Sequence, residues 1–249
     1  MPEIPNFEHN GITIETNRPP EPMGPLGPNV VGLVVTAPDR DSRVQLNVPF
    51  RISSQGQAQL LDKTGDEQGT GWHAVSEILK KTSVPVYVVV VEEGDTEATT
   101  IANIVGGVDP ESGQPVGLAA LASCAEVPTI IGVPGFSAKK EVADTMATLS
   151  RRLMCRFVAD CPDVSIQAVT DYSKELGGEG TGYRRCYLAY QMVEIYSRAA
   201  LGNILVAPSI HAIGALAAVN PWESPGNQGV LIQGVAREVD YNILDRATT

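Results

Sequence analysis

Val30-Val31-Gly32-Leu33-Val34-Val35 is the stretch whose reading decides the fold. It is a near-continuous apolar run, and a strand exposed on one face would alternate polar with apolar residues. A run with no polar side chain belongs to a strand covered on both faces, the signature of a parallel sheet between helical layers. It stops at the turn Thr36-Ala37-Pro38-Asp39. Val86 to Val91 has the same character, all β-branched or aromatic, and reads as a central strand. Thr129-Ile130-Ile131-Gly132-Val133 is a third such run and ends at Pro134-Gly135.

Helical spacing fills the intervals. Val75, Ile78 and Leu79 share one face near Trp72, with Lys80-Lys81 where the helix dipole favours cations. Glu92 to Glu111 carries six acids and no base, a solvated excursion with a small helical element through Thr100–Val105. Gly117 to Cys124 reads as a helix. Lys139 to Asp160 is the clearest helix, because Val142, Met146, Leu149, Leu153 and Phe157 form one apolar stripe. Ser137 is placed to cap it. Pro208–Val219 is a helix of small residues suited to close packing. Val48–Ile52, Val164–Val169, Tyr187–Tyr190 and Gln228–Val235 are further strand candidates. Strands alternating with helices imply right-handed parallel crossovers. The expected fold class is therefore α/β, a mostly parallel sheet with helices on both faces.

The 249 residues allow one large or two small domains. Hydrophobic residues at 43% are enough to bury a full core without disulfides or metals. No apolar run approaches the roughly 18 residues of a membrane-spanning helix. The opening MPEIPNFEHN has neither a basic start nor an apolar stretch, so no secretory leader is expected. Lys and Arg total 18 against 29 Asp and Glu, a net charge of −11. Nucleic-acid binding needs a basic patch, and the pairs Lys139-Lys140, Arg151-Arg152 and Arg184-Arg185 are scattered among acids. Neither nucleic acid nor membrane is expected as a partner.

Residues 1–28 differ from the rest. Seven prolines, Pro2, Pro5, Pro19, Pro20, Pro22, Pro25 and Pro28, forbid a helix there. Within this tract Gly11-Ile12-Thr13-Ile14-Glu15-Thr16 alternates as a strand does, with both isoleucines on one face. One such strand is not stable alone. Composition leaves two readings open, a disordered leader or an arm whose strand completes a sheet elsewhere.

Chemistry is harder to find. Gly178-Glu179-Gly180-Thr181-Gly182 does not match a dinucleotide fingerprint, and Thr64 to Trp72 lacks the Lys-Ser/Thr of a phosphate loop. Gly135-Phe136-Ser137-Ala138-Lys139 sits between a strand and a helix like a nucleophile elbow, with Lys139 where a second glycine is needed. His211 beside Ser209 reads as a capped helix start. Cys124, Cys155, Cys161 and Cys186, with His9, His73 and His211, show no zinc-ligand spacing, and the thiols read as reduced core residues. No catalytic, cofactor or metal residue is nominated. The alternative of a small-molecule enzyme would use the strand end at Val133-Pro134-Gly135.

Several segments in order resemble the contractile tail sheath protein of myophages and related injection machines, such as R-type bacteriocins. They are Gly11–Glu15 with Arg18-Pro19, Val30–Asp39, Gln45–Ser53, Val86–Gly94, Asn103–Gly107, Pro128–Gly135, and Pro221-Trp222-Glu223-Ser224-Pro225-Gly226-Asn227 with Ile232–Val235 after it. The resemblance implies a structural subunit with no cofactor, built on a subtilisin-like layer without a triad. It implies a helical homo-oligomer of hexameric discs that contacts a tail tube protein, baseplate and tail terminator proteins. It would be assembled in the bacterial cytoplasm and carried in the virion tail. Gly11, Ile12, Thr13, Ile14, Glu15 and Thr16 would then be an inter-subunit strand, with residues 1–28 as arm and 29–249 as sheath body. Family members usually continue well past the position of Thr249 into a C-terminal domain that receives the arms. That domain is expected to be lacking here.

Overall fold

The computed structural model describes residues 29–162, 165–177, 183–223, 225–227 and 232–235. Along the chain these form β1 (Val31–Thr36), β2 (Phe50–Ile52), α1 (Gln55–Ala58), α2 (Gly71–Lys81), β3 (Val86–Val91) and α3 (Glu97–Val105). A small hairpin, β4 (Gly107–Val108) and β5 (Pro115–Val116), precedes a 3-10 helix at Gly117–Ser123. Then follow β6 (Ile130–Gly132), α4 (Lys140–Leu153), β7 (Arg156–Asp160), α5 (Ile166–Gly177), β8 (Cys186–Ala189), β9 (Val193–Ser197), β10 (Gly202–Val206), α6 (Pro208–Ala217) and β11 (Gly234–Val235).

The main sheet has the order β2-β3-β1-β6-β7-β8. All its pairs are parallel except β2 with β3. Both strands read as central are internal: β3 lies between β2 and β1, and β6 between β1 and β7. Every residue of β1 and β3 is buried. Because strand side chains alternate faces, Val31, Leu33 and Val35 meet α2 and α6 through Val75, Ile78, Ile210 and Ile213. On the opposite face Val34, Val89 and Ile131 meet Ile104 of α3, Leu118 and Leu121 of the 3-10 helix, and Met146 of α4. Gly32 also points to that face, where an added Cβ would come 2.9 Å from Pro128 Cγ. The absent side chain lets the segment before β6 lie directly on β1.

Five expectations are corrected. The helix read across Lys139–Asp160 is α4 followed by a strand. Met154 adopts left-handed backbone (φ 57°, ψ 31°) as the C-cap, and the chain turns into β7. Helices more often end on glycine, so no stop signal is legible, and the stripe runs on by coincidence to Phe157, which is fully buried in β7. Ser137 does not cap that helix; Lys139 holds the N-cap position without a side-chain bond. Of the strand read at Val164–Val169, Val164 lies outside the described residues and Ile166–Val169 is the start of α5. The Ser165 hydroxyl accepts from Ala168 N at 3.1 Å, and Tyr172 and Leu176 are buried against Ala143 and Cys161. Gly117–Ser123 is a 3-10 helix, and α3 begins earlier than Thr100, capped by Thr96.

The β9–β10 hairpin, antiparallel over five residue pairs, has no counterpart in the sequence reading. Its turn carries Leu201 at φ 49° in place of the Asn-Gly signal that marks such turns. The four cysteines are free, with Cys155 and Cys161 buried.

Phe157 joins β7 to α4, so Phe157→Ala should destabilise the fold by about 3–5 kcal/mol in urea unfolding. A cost below about 1 kcal/mol would contradict its place in the core.

Candidate functional site

Open parallel sheets hold ligands outside the C-terminal ends of their strands, where successive connections diverge. Here that strand is β1, with β3 on one side and β6 on the other. The crevice is filled by the chain itself. Thr36 N donates to Thr70 Oγ1 at 3.2 Å, and Thr70 N returns a bond to Thr36 O at 3.0 Å, tying the start of α2 to the end of β1. The loop before it passes so close that a Cβ on Gly69 would lie 2.5 Å from Thr36 O.

At the end of β7 the Asp160 carboxylate, 4% exposed, sits at the N-terminus of α6. Its Oδ1 accepts from Ser209 N at 2.8 Å. Its Oδ2 accepts from Ser137 Oγ at 2.6 Å, Ser209 Oγ at 2.9 Å and Gly135 N at 3.4 Å. Burial pushes this carboxyl above the usual carboxylate range, opposed by the serine and backbone donors. Helix N-termini bind anions, and this one already holds an internal one. Ser137, the elbow-like serine of the sequence, is fully buried and bonded to Asp160 with no histidine among its partners. Asp160→Ala would strand two hydroxyls and two N–H groups, at about 1–3 kcal/mol for each group left unpaired. The loss should appear as a lowered urea midpoint; Asp160→Asn, keeping one accepting oxygen, should fall between it and wild type.

A second polar group lies between α2, α6 and the small β10-β9-β11 sheet. Glu67 (φ 54°) accepts from Ser197 Oγ at 2.5 Å and Arg198 N at 3.3 Å, fastening the end of β9 to the body. His73 Nε2 lies 3.9 Å from the same carboxylate. Glu77 is paired with Lys80, and its other oxygen lies 3.9 Å from His211 Nε2. Neither ring nitrogen of His211 has a hydrogen-bond partner among the described residues, so it packs as a buried side chain and does not cap α6. Burial lowers the pKa of both histidines. Glu67 and Glu77 oppose this at His73, and Glu77 alone opposes it at His211, where Lys80 adds to the lowering. Among the described residues no group of three or more His, Cys, Asp or Glu side chains is arranged to hold a metal.

With folded pKa values below 6.5, the unfolded chain takes up protons first. The histidine contribution is complete above pH 6.5 and is lost as pH falls through the lower folded values. Stability should therefore decline on acidification from about pH 6.5, and a His73→Gln, His211→Gln double variant should flatten that slope in denaturant titrations. An unchanged slope would contradict the assignment.

The features left open lie on the surface. β8 is an outer strand of the main sheet among the described residues, with Tyr187 41% and Leu188 36% exposed. The outer face of the hairpin shows Tyr196 and Leu205, with Leu201 at its turn, and Trp222 is also exposed. The inter-subunit strand residues Gly11, Ile12, Thr13, Ile14, Glu15 and Thr16, and the glycine run Gly178–Gly182, lie outside the described residues. Asp160, which organises the strand ends, lies within the stretch that the sequence reads as helix, so no local signal marks it.

No family model matches the chain. It is 25% identical over 223 residues to a prophage major tail sheath protein of Pseudomonas aeruginosa (strain UCBPP-PA14), covering 86% of this chain and 55% of that one. It is 33% identical over 159 residues to the tail sheath protein of Escherichia phage P2, covering 59% of this chain and 39% of that one. The chain thus spans about half or less of the length of these curated relatives. Among solved structures it shares its fold with the sheath complex of an extracellular contractile injection system (PVC) in the contracted state. That match has a TM-score of 0.56 at 14% identity and covers 99% of this chain and 61% of the other. The resemblance to contractile tail sheath proteins read from the sequence is thus found in both sequence and fold.

Proposed function

We propose that this chain is a structural subunit of a contractile sheath, a component of a phage tail or related injection machine that polymerises helically around a tube. The observation that carries the reading is the likeness to two tail sheath proteins, together with the fold shared with a contractile sheath. The closed strand ends support it. Where an enzyme on this sheet would bind a substrate, Asp160 and the Thr36–Thr70 bonds occupy the space, and the subunit works without cofactor or turnover.

A helical sheath needs heterologous contacts, which do not close and therefore extend along an axis. Residues 29–249 supply a stiff body, and residues 1–28 supply the arm. In the extended sheath Gly11–Thr16 is donated to a neighbouring subunit, and the proline-rich spacer carries rotation while hydrogen-bonded strands hold. Discs of subunits stack on a tail tube protein between a baseplate and a terminator, and contraction releases a kinetically trapped state. Assembly takes place in the host cytoplasm.

Deleting residues 1–28 should leave a soluble protein with the circular dichroism of the full chain but without sedimenting polymer. Polymer formation by the truncated protein equal to that of the full chain would refute the arm's role.

A further inference from the structure

We propose that residues 19–28 form a polyproline II helix that lies in the groove between β2 and the β4–β5 hairpin of its own subunit. The docking concerns the spacer alone and is independent of where the strand at residues 11–16 binds.

The segment lies outside the described residues, and its sequence has a period of three. Pro19, Pro22, Pro25 and Pro28 recur at every third residue, and Pro20, Met23 and Leu26 do the same one step later. Polyproline II has three residues per turn, so the first set forms one face and the second an adjoining apolar face. Arg18, Glu21, Gly24 and Gly27 fall on the third face. A tether needs only length and stiffness, whereas two continuous nonpolar faces suit a segment that docks. Such segments enter preformed grooves at low entropic cost, because proline fixes the backbone beforehand.

The groove has a volume of about 730 Å³ and is lined by Leu46, Val48, Pro49, Tyr87, Pro115 and Val116 among others. Val48 is 48% exposed. The walls are fastened from behind. Asn47, in left-handed backbone (φ 59°), donates its N–H to Val90 O at 2.8 Å, and its Oδ1 accepts from Gly117 N at 2.9 Å. Asp109 closes the hairpin turn by accepting from Glu111 N at 3.1 Å. The chain therefore holds this groove open with bonds of its own.

The spacer joins the body at the foot of the groove. Val31 pairs with Ile130 on one side and Val86 on the other. Three residues back in that register, position 28 falls beside Val127, which is 59% exposed. Phe50 pairs with Val88, so Val48 stands two strands across from β1 and seven residues above position 28. That is about 10 Å by 23 Å, or roughly 25 Å on the diagonal. From Pro28 back to Pro19 a polyproline II helix spans about 28 Å. The lengths match, and covalent linkage gives the segment a millimolar effective concentration at its own groove. Glu21 then falls near Arg51 on the groove rim, which pairs with Glu126 at 3.4 Å and keeps 52% of its side chain exposed. Docked, the segment sets the direction in which residues 11–16 leave the body. Released, it is the spacer that carries rotation.

Disulfide trapping in the full chain tests this. Pro20→Cys with Val48→Cys puts one thiol in the spacer and one on the exposed groove wall, so the core is untouched. Mild oxidation should join positions 20 and 48 within a protein of monomer mass, identified by peptide mapping. The rate should exceed that of Pro20→Cys with Thr170→Cys, on the exposed side of α5, by about ten-fold or more. Gly24→Pro with Pro25→Gly keeps the composition but breaks the period of three, and should bring the rate down to that of the α5 pair. Glu21→Arg should slow it as well. A disulfide formed only between two chains places the spacer on a second copy and overturns the proposal, as does a rate equal to that of the α5 pair. Rods in electron micrographs without the intramolecular disulfide overturn the docking while the sheath reading stands. The intramolecular disulfide without rods supports the docking and counts against the sheath reading.

Discussion

The rest of the structure depends on one constraint: β1 carries apolar side chains on both faces and is buried throughout. Neither face can meet water without exposing several large side chains, each worth about 1.5–3 kcal/mol when buried. Two layers of helix are therefore required, with α2 and α6 on one side and α3, the 3-10 helix and α4 on the other. Parallel pairing on both sides of β1 follows, because a crossover that returns to the same sheet deposits a helix on one face or the other. Gly32 shows how tight the arrangement is, since Pro128 and Leu121 occupy the space of its missing side chain.

That architecture creates a strand-end crevice, and the chain closes it. Asp160 supplies the negative charge at the N-terminus of α6, and Ser137, Ser209 and the Gly135 N–H satisfy it. A buried carboxylate with four donors is a fastening between β7, α6 and the loop after β6. Glu67 does similar work for the small sheet. Among the described residues the exposed apolar side chains gather at β8 and on the β9–β10 hairpin.

Much of this was legible in the residues, and the failures have physical causes. Runs such as Val30–Val35 and Val86–Val91 announce doubly covered strands because no charged or strongly polar side chain interrupts them. Helix α2 was legible from its apolar face and terminal lysines. The break between α4 and β7 was not, because Met154 takes a left-handed conformation usually left to glycine. The start of α5 was misread as a strand because Val164, Ile166 and Val169 are β-branched, while the cap at Ser165 and the later Tyr172 and Leu176 decide for helix. The β9–β10 hairpin turns without Asn-Gly, so its strands had no boundary signal. Asp160 was invisible as a hub because its donors come from positions 135, 137 and 209, a grouping that only the fold creates.

The sheath reading and its enzyme alternative differ most in what the purified full chain forms. Electron cryomicroscopy under assembling conditions separates them directly. The account predicts hollow rods whose helical reconstruction repeats the six-stranded body described here. Compact, monodisperse particles with an ordered small molecule at the strand ends beside Gly135 would contradict it.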